Sequence, residues 1–282
     1  MNETIFPIGI MQGRLLPPFE GRFQAFPAEG WREEFHRAAA AGLARIEWIH
    51  EVPHEADNPL GNDAGIDEML ELSASTGVEV RSICADTYMV RTLVGPDCQP
   101  DATAVEHLIW LIGRARRLNV RYMVLPFVDA SSLKTPAAVD AAVTAIRRAL
   151  DAAETASIEL HFETDLPPAR FAELMQRFNH PLVRVNYDIG NSASLGYDPN
   201  EELTTLAPWL GSVHVKDRVL GGGTVPLGTG NADFPTCFRL IRQAGFAGCF
   251  ILQAARDANV SEVELARRNI DFVRRHLAAV TV

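Results

Sequence analysis

Cysteine is scarce in this chain. Cys84, Cys98, Cys237 and Cys249 are the only four in 282 residues, and no two of them form a CxxC pair. That spacing speaks against a zinc ribbon, and in a chain of this length against a disulfide framework. Cys84 and Cys249 lie inside apolar, strand-like runs, where a reduced buried thiol is the ordinary state. Long hydrophobic runs are missing too, and no apolar stretch approaches the roughly 18 residues that a membrane span needs. The stretch "MNETIFPIGIM" lacks the basic segment of a signal peptide, so a cytoplasmic location is expected. Positive charge is also in short supply: Lys plus Arg number 26 against 36 Asp plus Glu, a formal net charge of −10. Such a surface repels nucleic acid at long range. The densest basic runs, "GRARRLN" and "ARRNIDFVRRH", alternate with apolar residues as solvated helix faces do. Neither a nucleic-acid nor a membrane partner is expected.

What the chain does have is alternation. Short β-rich apolar runs at 6–12, 44–49, 78–85, 120–127, 158–164, 183–189, 212–217 and 249–254 read as strands, with amphipathic helical patterns between them. In "DATAVEHLIWLIGRARRL", apolar residues recur at 105, 108, 109, 112 and 115, and Asp101 can cap the start. Eight strands in 282 residues leave about 35 residues per unit, which suits an α/β fold made of a single (β/α)8 TIM barrel over residues 1–282. A doubly wound sheet would carry a Gly-rich phosphate turn after its first strand, and "IMQGRLLPP" is not one. Two connections, 13–26 and 51–65, are longer than a barrel needs and follow strand ends. They are expected to lie over the active-site face as lids.

Side chains alternate along a strand, so only inward residues near the C-terminal end of a barrel strand reach its site. "ELHFETD" puts His161 and Glu163 on one face, "RVNYDIGN" ends in Asp188, and "SVHVKDR" puts His214 and Lys216 together. "GCFILQ" ends an apolar strand in Gln253, a polar group that needs a partner if buried. Two carboxylates held close repel unless a proton or cation sits between them. A divalent metal with Glu163, Asp188, His214 and the Gln253 amide oxygen as ligands satisfies all four, and the mixture suits Mn2+, Mg2+, Co2+ or Zn2+. Lys216 and His161 are candidates for moving a proton, Lys216 alternatively for a salt bridge. Gln12 and Arg14 at the end of the first strand, and Arg218 and Arg256 after the last two, could reach substrate hydroxyls or a phosphate. The glycines of "LGGGTVPLGTGN" either offer backbone N–H groups to an anion or form a flexible connection.

The motifs "HFETD", "NYDIGN" and "VHVKDR" and the stretch 225–253 resemble the xylose isomerase-like barrel superfamily, in particular its sugar phosphate isomerase/epimerase branch. The resemblance implies that Glu163, Asp188 and His214 are metal ligands and that Glu47, in "RIEWIHE", binds substrate, while Trp48 points into the helix layer. In the family's ketose epimerases the last strand usually ends in a glutamate, and two glutamates serve as bases on opposite faces of the substrate carbon. Here Gln253 stands instead, and an amide cannot accept that proton. Related enzymes often carry a His three residues after the Asp, where this chain has Asn191, which weighs against the apurinic-endonuclease branch. The resemblance therefore implies a metal-dependent sugar or sugar-phosphate isomerase or epimerase working through a metal-stabilised enediolate, with Glu163 as base. A dehydratase of a cyclic polyol, inosose dehydratase-like, and a non-catalytic sugar-binding barrel are the alternatives. Barrels of this family often associate, so a homo-oligomer is among the expectations.

Overall fold

Each strand-like run of the sequence becomes a strand, shorter by a residue or more in nearly every case. In the computed structural model, which describes residues 6–280, eight parallel strands close into one barrel. They are β1 (Ile8–Met11), β2 (Arg45–Ile49), β3 (Glu79–Cys84), β4 (Tyr122–Phe127), β5 (Glu159–Thr164), β6 (Val183–Asp188), β7 (Leu210–Val215) and β8 (Phe250–Leu252). Sequential strands are neighbours, and β8 closes the ring against β1 with Ile8 opposite Phe250. The α/β (β/α)8 TIM barrel expected from the alternation is the fold observed. Its principal helices are α1 (Trp31–Ala41), α2 (Asp63–Thr76), α3 (Ala102–Arg117), α4 (Pro136–Ala156), α5 (Pro168–Phe178), α6 (Pro199–Leu206), α7 (Phe234–Gln243) and α8 (Glu262–Ala279).

Local chemistry sets where these helices begin. Asp101 accepts from the Ala104 N–H at the start of α3, Thr135 from Ala138 at α4, and Ser261 from Glu264 at α8. Each satisfies a donor that the first turn leaves unpaired. The apolar faces then bury against the strands. Trp48 of β2 points outward as expected, fully buried and edge-on to Trp31 of α1 at 5.6 Å, with its N–H donated to Asn58.

Two irregularities in the barrel lie beside polar side chains. The register slips between Ile46 and Glu47 against β3, and again between Val185 and Asn186 against β7. A slip of this kind re-aims the side chains next to it, and Glu47 and Asn186 both belong to the polar cluster inside the barrel. After β6 the chain enters a short helix, Ile189–Leu195, whose first residues press against β7's end. A Cβ on Gly190 would lie 2.8 Å from Lys216 Cγ and 2.9 Å from its carbonyl carbon, so only glycine fits.

The helix layer is tied to β6 by a buried carboxyl. Glu202 of α6 accepts from Tyr187 Oη at 3.0 Å and from Ser192 Oγ at 2.9 Å, and burial pushes it up to about 7 from an ordinary 4.5. The folded chain thus holds a proton that the unfolded chain releases near pH 4.5. Its contribution is fully present below that pH and is lost as pH rises through about 7. We expect Glu202→Gln to narrow the fall in Tm between pH 5 and pH 8, measured by scanning calorimetry. A gap identical to that of the unmodified chain would mean that Glu202 does not titrate in this window.

Candidate active site at the strand ends

The C-terminal ends of the strands open into a cavity of about 610 Å³. Three side chains from consecutive strands gather at this end of the barrel, and Glu163 among them lines the cavity. One ligand atom each from Glu163 (β5), Asp188 (β6) and His214 (β7) lie within 4.8 Å of one another, and all three residues are buried. His214 Nδ1 is 3.3 Å from Glu163 Oε2 and 3.8 Å from Asp188 Oδ2. The other ring nitrogen, Nε2, lies 2.6 Å from Glu47 Oε1 across the barrel. This is the arrangement in which a carboxylate holds one imidazole nitrogen and leaves the other to face a cation.

Each carboxylate is positioned by donors. Asn186 Nδ2 donates to Glu163 Oε2 at 2.8 Å and lies 3.1 Å from His214 Nδ1, while Asn191 Nδ2 donates to Glu163 Oε1 at 2.7 Å. Asp188 caps the helix after it, its Oδ1 accepting from the Asn191 N–H at 2.8 Å, and its Oδ2 faces Lys216 Nζ at 2.8 Å. Burial alone would push His214 down, but Glu47, Asp188 and Glu163 outweigh it and hold the imidazole well above its ordinary value. Burial likewise opposes the charge on Asp188, and Lys216 and His214 overcome it, bringing the carboxyl down to about 2. Three buried carboxylates therefore converge on one imidazole, which calls for positive charge between them.

Gln253, one residue past β8, supplies a fourth observation. Its Nε2 donates to Gln24 at 2.6 Å, whereas its Oε1 is buried without a partner among the described residues. An orphaned buried oxygen, two carboxylates and an imidazole nitrogen are a donor set that fits a divalent cation. Glu163, Asp188, His214 and Gln253 are the residues that could hold it.

The other residues singled out in the sequence fall into two groups. Lys216, Asn191 and Arg218 line the cavity; Arg218 donates to Asn191 Oδ1 at 2.9 Å and to the Gly222 carbonyl. His161, Gln12, Arg14, Arg256 and Glu47 do not line it, and their side chains are engaged with protein groups around it. His161 sits two residues below Glu163, between Ser212 Oγ and Glu159 at 2.8 Å each and stacked on Tyr122. The Gln12 oxygen accepts from the Ile49 N–H. Arg14 donates to the Phe23 carbonyl and Arg256 to the carbonyls of Gly13 and Leu16, so both brace the 13–26 connection from within. Glu47, fully buried, faces His214 Nε2.

The Gly-rich connection after β7 is likewise no anion cradle. It forms a hairpin, Asp217–Arg218 with Thr224–Val225, and the Asp217 carboxylate takes the N–H groups of Gly228, Gly230 and Ala232. Both long connections reach the cavity, 13–26 through Arg22, Phe23 and Gln24 and 51–65 through Glu51, Val52 and Pro53. Three site residues carried no sequence signal strong enough to find: Asn186, Gln24 and Asp86. Asn186 shares β6 with Asp188 at inward parity. Gln24 and Asp86 are loop residues that meet only in three dimensions, Gln24 Nε2 donating to Asp86 Oδ2 at 2.6 Å.

Comparison with known proteins places this geometry in context. A family model described as xylose isomerase-like TIM barrel matches residues 35–276. L-ribulose-5-phosphate 3-epimerase UlaE of Salmonella paratyphi A is 26% identical over 268 residues, covering 90% of this chain and 93% of its own. Among solved structures, an IolI protein with a bound zinc atom superposes with a TM-score of 0.76 at 12% identity, covering 98% of this chain and 99% of its own. A xylose isomerase-like TIM barrel protein from Mycobacterium smegmatis in complex with magnesium gives 0.72 at 20%, covering 98% of each.

If Glu47 orients His214 for a cation, Glu47→Gln is expected to weaken Mn2+ binding roughly 10- to 100-fold. Equilibrium dialysis with elemental analysis reads this directly. Unchanged affinity would remove Glu47 from that role.

Proposed function

The chain belongs to the xylose isomerase-like TIM barrel family, and from that premise we propose that it is a divalent-metal-dependent isomerase or epimerase of a sugar. The observation that carries the reading is the convergence of Glu163, Asp188 and His214 at the strand ends, where Gln253, its amide oxygen unpartnered among the described residues, lines the cavity as Glu163 does. A relative over most of the chain is a 3-epimerase of a ketose phosphate, which supports the reaction class. A cation bound at this site supplies a Lewis acid that draws electron density from a substrate carbonyl and so acidifies the adjacent C–H.

The chain's own residues do the rest. Glu163 is the base for that proton. Asn186 and Asn191 each donate to one of its oxygens, fixing the carboxylate plane while leaving lone pairs for the proton. Inversion at carbon requires a proton to return from the opposite face, and Gln253 cannot provide one. Lys216 lines the cavity but is paired with Asp188. Asp86, two residues past β3, also lines it and has no salt-bridge partner among the described residues; burial pushes its carboxyl up to about 6, near the working range of an acid–base group. We assign the returning proton to Asp86, held by Gln24, with Lys216 stabilising charge.

The cavity favours an unphosphorylated substrate. Its cations are already engaged: Arg22 in a two-point pair with Glu51, Lys216 with Asp188, and Arg218 with Asn191 and Gly222. Five carboxylates, those of Glu51, Asp86, Asp129, Glu163 and Asp165, line the same space. A phosphate dianion would meet that field with Arg218, held by neutral groups, as the lining cation that no carboxylate pairs among the described residues.

A cyclic-polyol dehydratase shares the first step and needs only one base, and Gln253 in place of a carboxylate is the observation that keeps it as the second reading. The two separate on product. The Mn2+-loaded protein should exchange a substrate α-proton with deuterated solvent when given ketoses such as L-ribulose, D-allulose or D-tagatose, as followed by NMR. Glu163→Gln should slow that exchange about 10²- to 10⁴-fold. An epimer carrying deuterium at the inverted carbon marks the epimerase; loss of water from an inosose marks the dehydratase. Absence of exchange with every ketose and inosose tried would sink both.

A further inference from the structure

Away from the strand-end cavity, a second group of side chains has the composition of a metal site. His50 follows β2 directly, Glu55 lies in the 51–65 connection, and His107 is on α3. One ligand atom from each lies within 4.8 Å of the others. None of the three lines the strand-end cavity.

His50 is the anomaly. It is fully buried, and neither ring nitrogen has a hydrogen-bond partner among the described residues. A buried imidazole with an unanswered N–H and an unanswered lone pair is uncommon in folded proteins. Its surroundings offer little to relieve it: the His107 ring at 5.4 Å between centroids and the Trp110 ring at 6.1 Å. The remaining groups are held in place. His107 Nε2 lies 2.9 Å from Glu55 Oε1, and His107 Nδ1 lies 3.0 Å from Tyr88 Oη, a hydroxyl that can fix the ring's tautomer. Arg91 pairs with both oxygens of Glu55 at 3.0 and 2.9 Å and holds the carboxylate against the histidines.

We propose that His50, His107 and Glu55 form a second cation site, separate from the strand-end site, that takes a zinc-class divalent ion. Two imidazoles and one carboxylate are a ligand set that zinc uses with water in the fourth position. Nitrogen donors favour Zn2+, Co2+ and Ni2+ over Mg2+ or Ca2+. Burial favours the neutral imidazole, which is the ligating form. Arg91 lowers the donor strength of Glu55, but with two imidazoles present the carboxylate is the third ligand the ion needs, so this charge reduces affinity without excluding the ion. The Tyr88 hydroxyl then plays the outer role that a carbonyl or carboxylate plays behind a ligating histidine. The site joins the 51–65 connection to α3. A bound ion would fasten the segment that contributes Glu51, Val52 and Pro53 to the cavity wall.

The test uses the full-length protein carrying Asp188→Ala, which disables the strand-end site. Equilibrium dialysis against Zn2+ with elemental analysis should find one equivalent remaining. Co2+ in its place should give the visible absorption of a four-coordinate ion. Adding Glu55→Ala, a partly exposed position whose replacement leaves the core intact, should remove that equivalent while the circular dichroism spectrum stays unchanged. Adding Tyr88→Phe instead should raise the Kd roughly 10- to 100-fold. The proposal is overturned if the Asp188→Ala protein binds no Zn2+, or if its Zn2+ is held equally well after Glu55→Ala.

Discussion

The hydrogen bond between Glu47 and His214 is the contact on which the site is built. It joins β2 to β7 across the barrel, 167 residues apart in the chain, at 2.6 Å between two fully buried side chains. A carboxylate in that position is costly without a partner. Pairing it with the imidazole fixes the ring so that Nδ1 faces Glu163 and Asp188. The slip in register at Ile46/Glu47 and the one at Val185/Asn186 flank these residues on opposite sides of the ring. Regular strands would have placed the same residues at other heights, so the irregularities are part of how the barrel brings three acids and a histidine to one point.

How much of this could be read from the chain depended on whether strand parity alone decided a residue's place. Parity agrees with the observed place of Glu163, Asp188, His214 and Lys216, because each sits at or just past the end of its strand, beyond any slip in register, with the inward face turned toward the cavity end of the barrel. Parity gives a face and not a height. His161 has the same parity as Glu163, yet it lies lower in the barrel, where Glu159, Ser212 and Tyr122 enclose it. Gln12, Arg14 and Arg256 stand just beyond strand ends, where the chain turns and alternation no longer predicts direction. There the cost of burying charge took over. Arg14 and Arg256 satisfy carbonyls of the 13–26 connection, and Glu34 accepts from the N–H of Gly13 within the same bend. That connection is pinned at its root by buried ionic groups, and only its later part, at Arg22 to Gln24, reaches the cavity. Contacts such as Gln24 with Asp86 join residues 62 positions apart and leave no local trace in the sequence.

The same contact bears on the polar residue that ends β8. Gln24 accepts from Gln253 Nε2 through its carbonyl oxygen and donates to Asp86 through its amide, so one side chain from the first connection fixes two others. Because the Gln253 amide hydrogen is engaged there, its oxygen is the end left free, and it is buried without another partner among the described residues. A glutamate at 253 would lose the donor that Gln24 accepts and bring a further negative charge into a region that already holds Glu47, Glu163 and Asp188. At the proposed metal site, a neutral oxygen would let Glu163 and Asp188 balance a divalent ion with no excess charge, at the cost of a proton acceptor on that side. Asp86 lies one amide away from Gln253 through Gln24, and its carboxyl, pushed up to about 6 mainly by burial, can carry the proton that Gln253 cannot. In the proposed site, a neutral group at 253 and a carboxyl one residue further out are therefore linked, because a single glutamine side chain holds both ends.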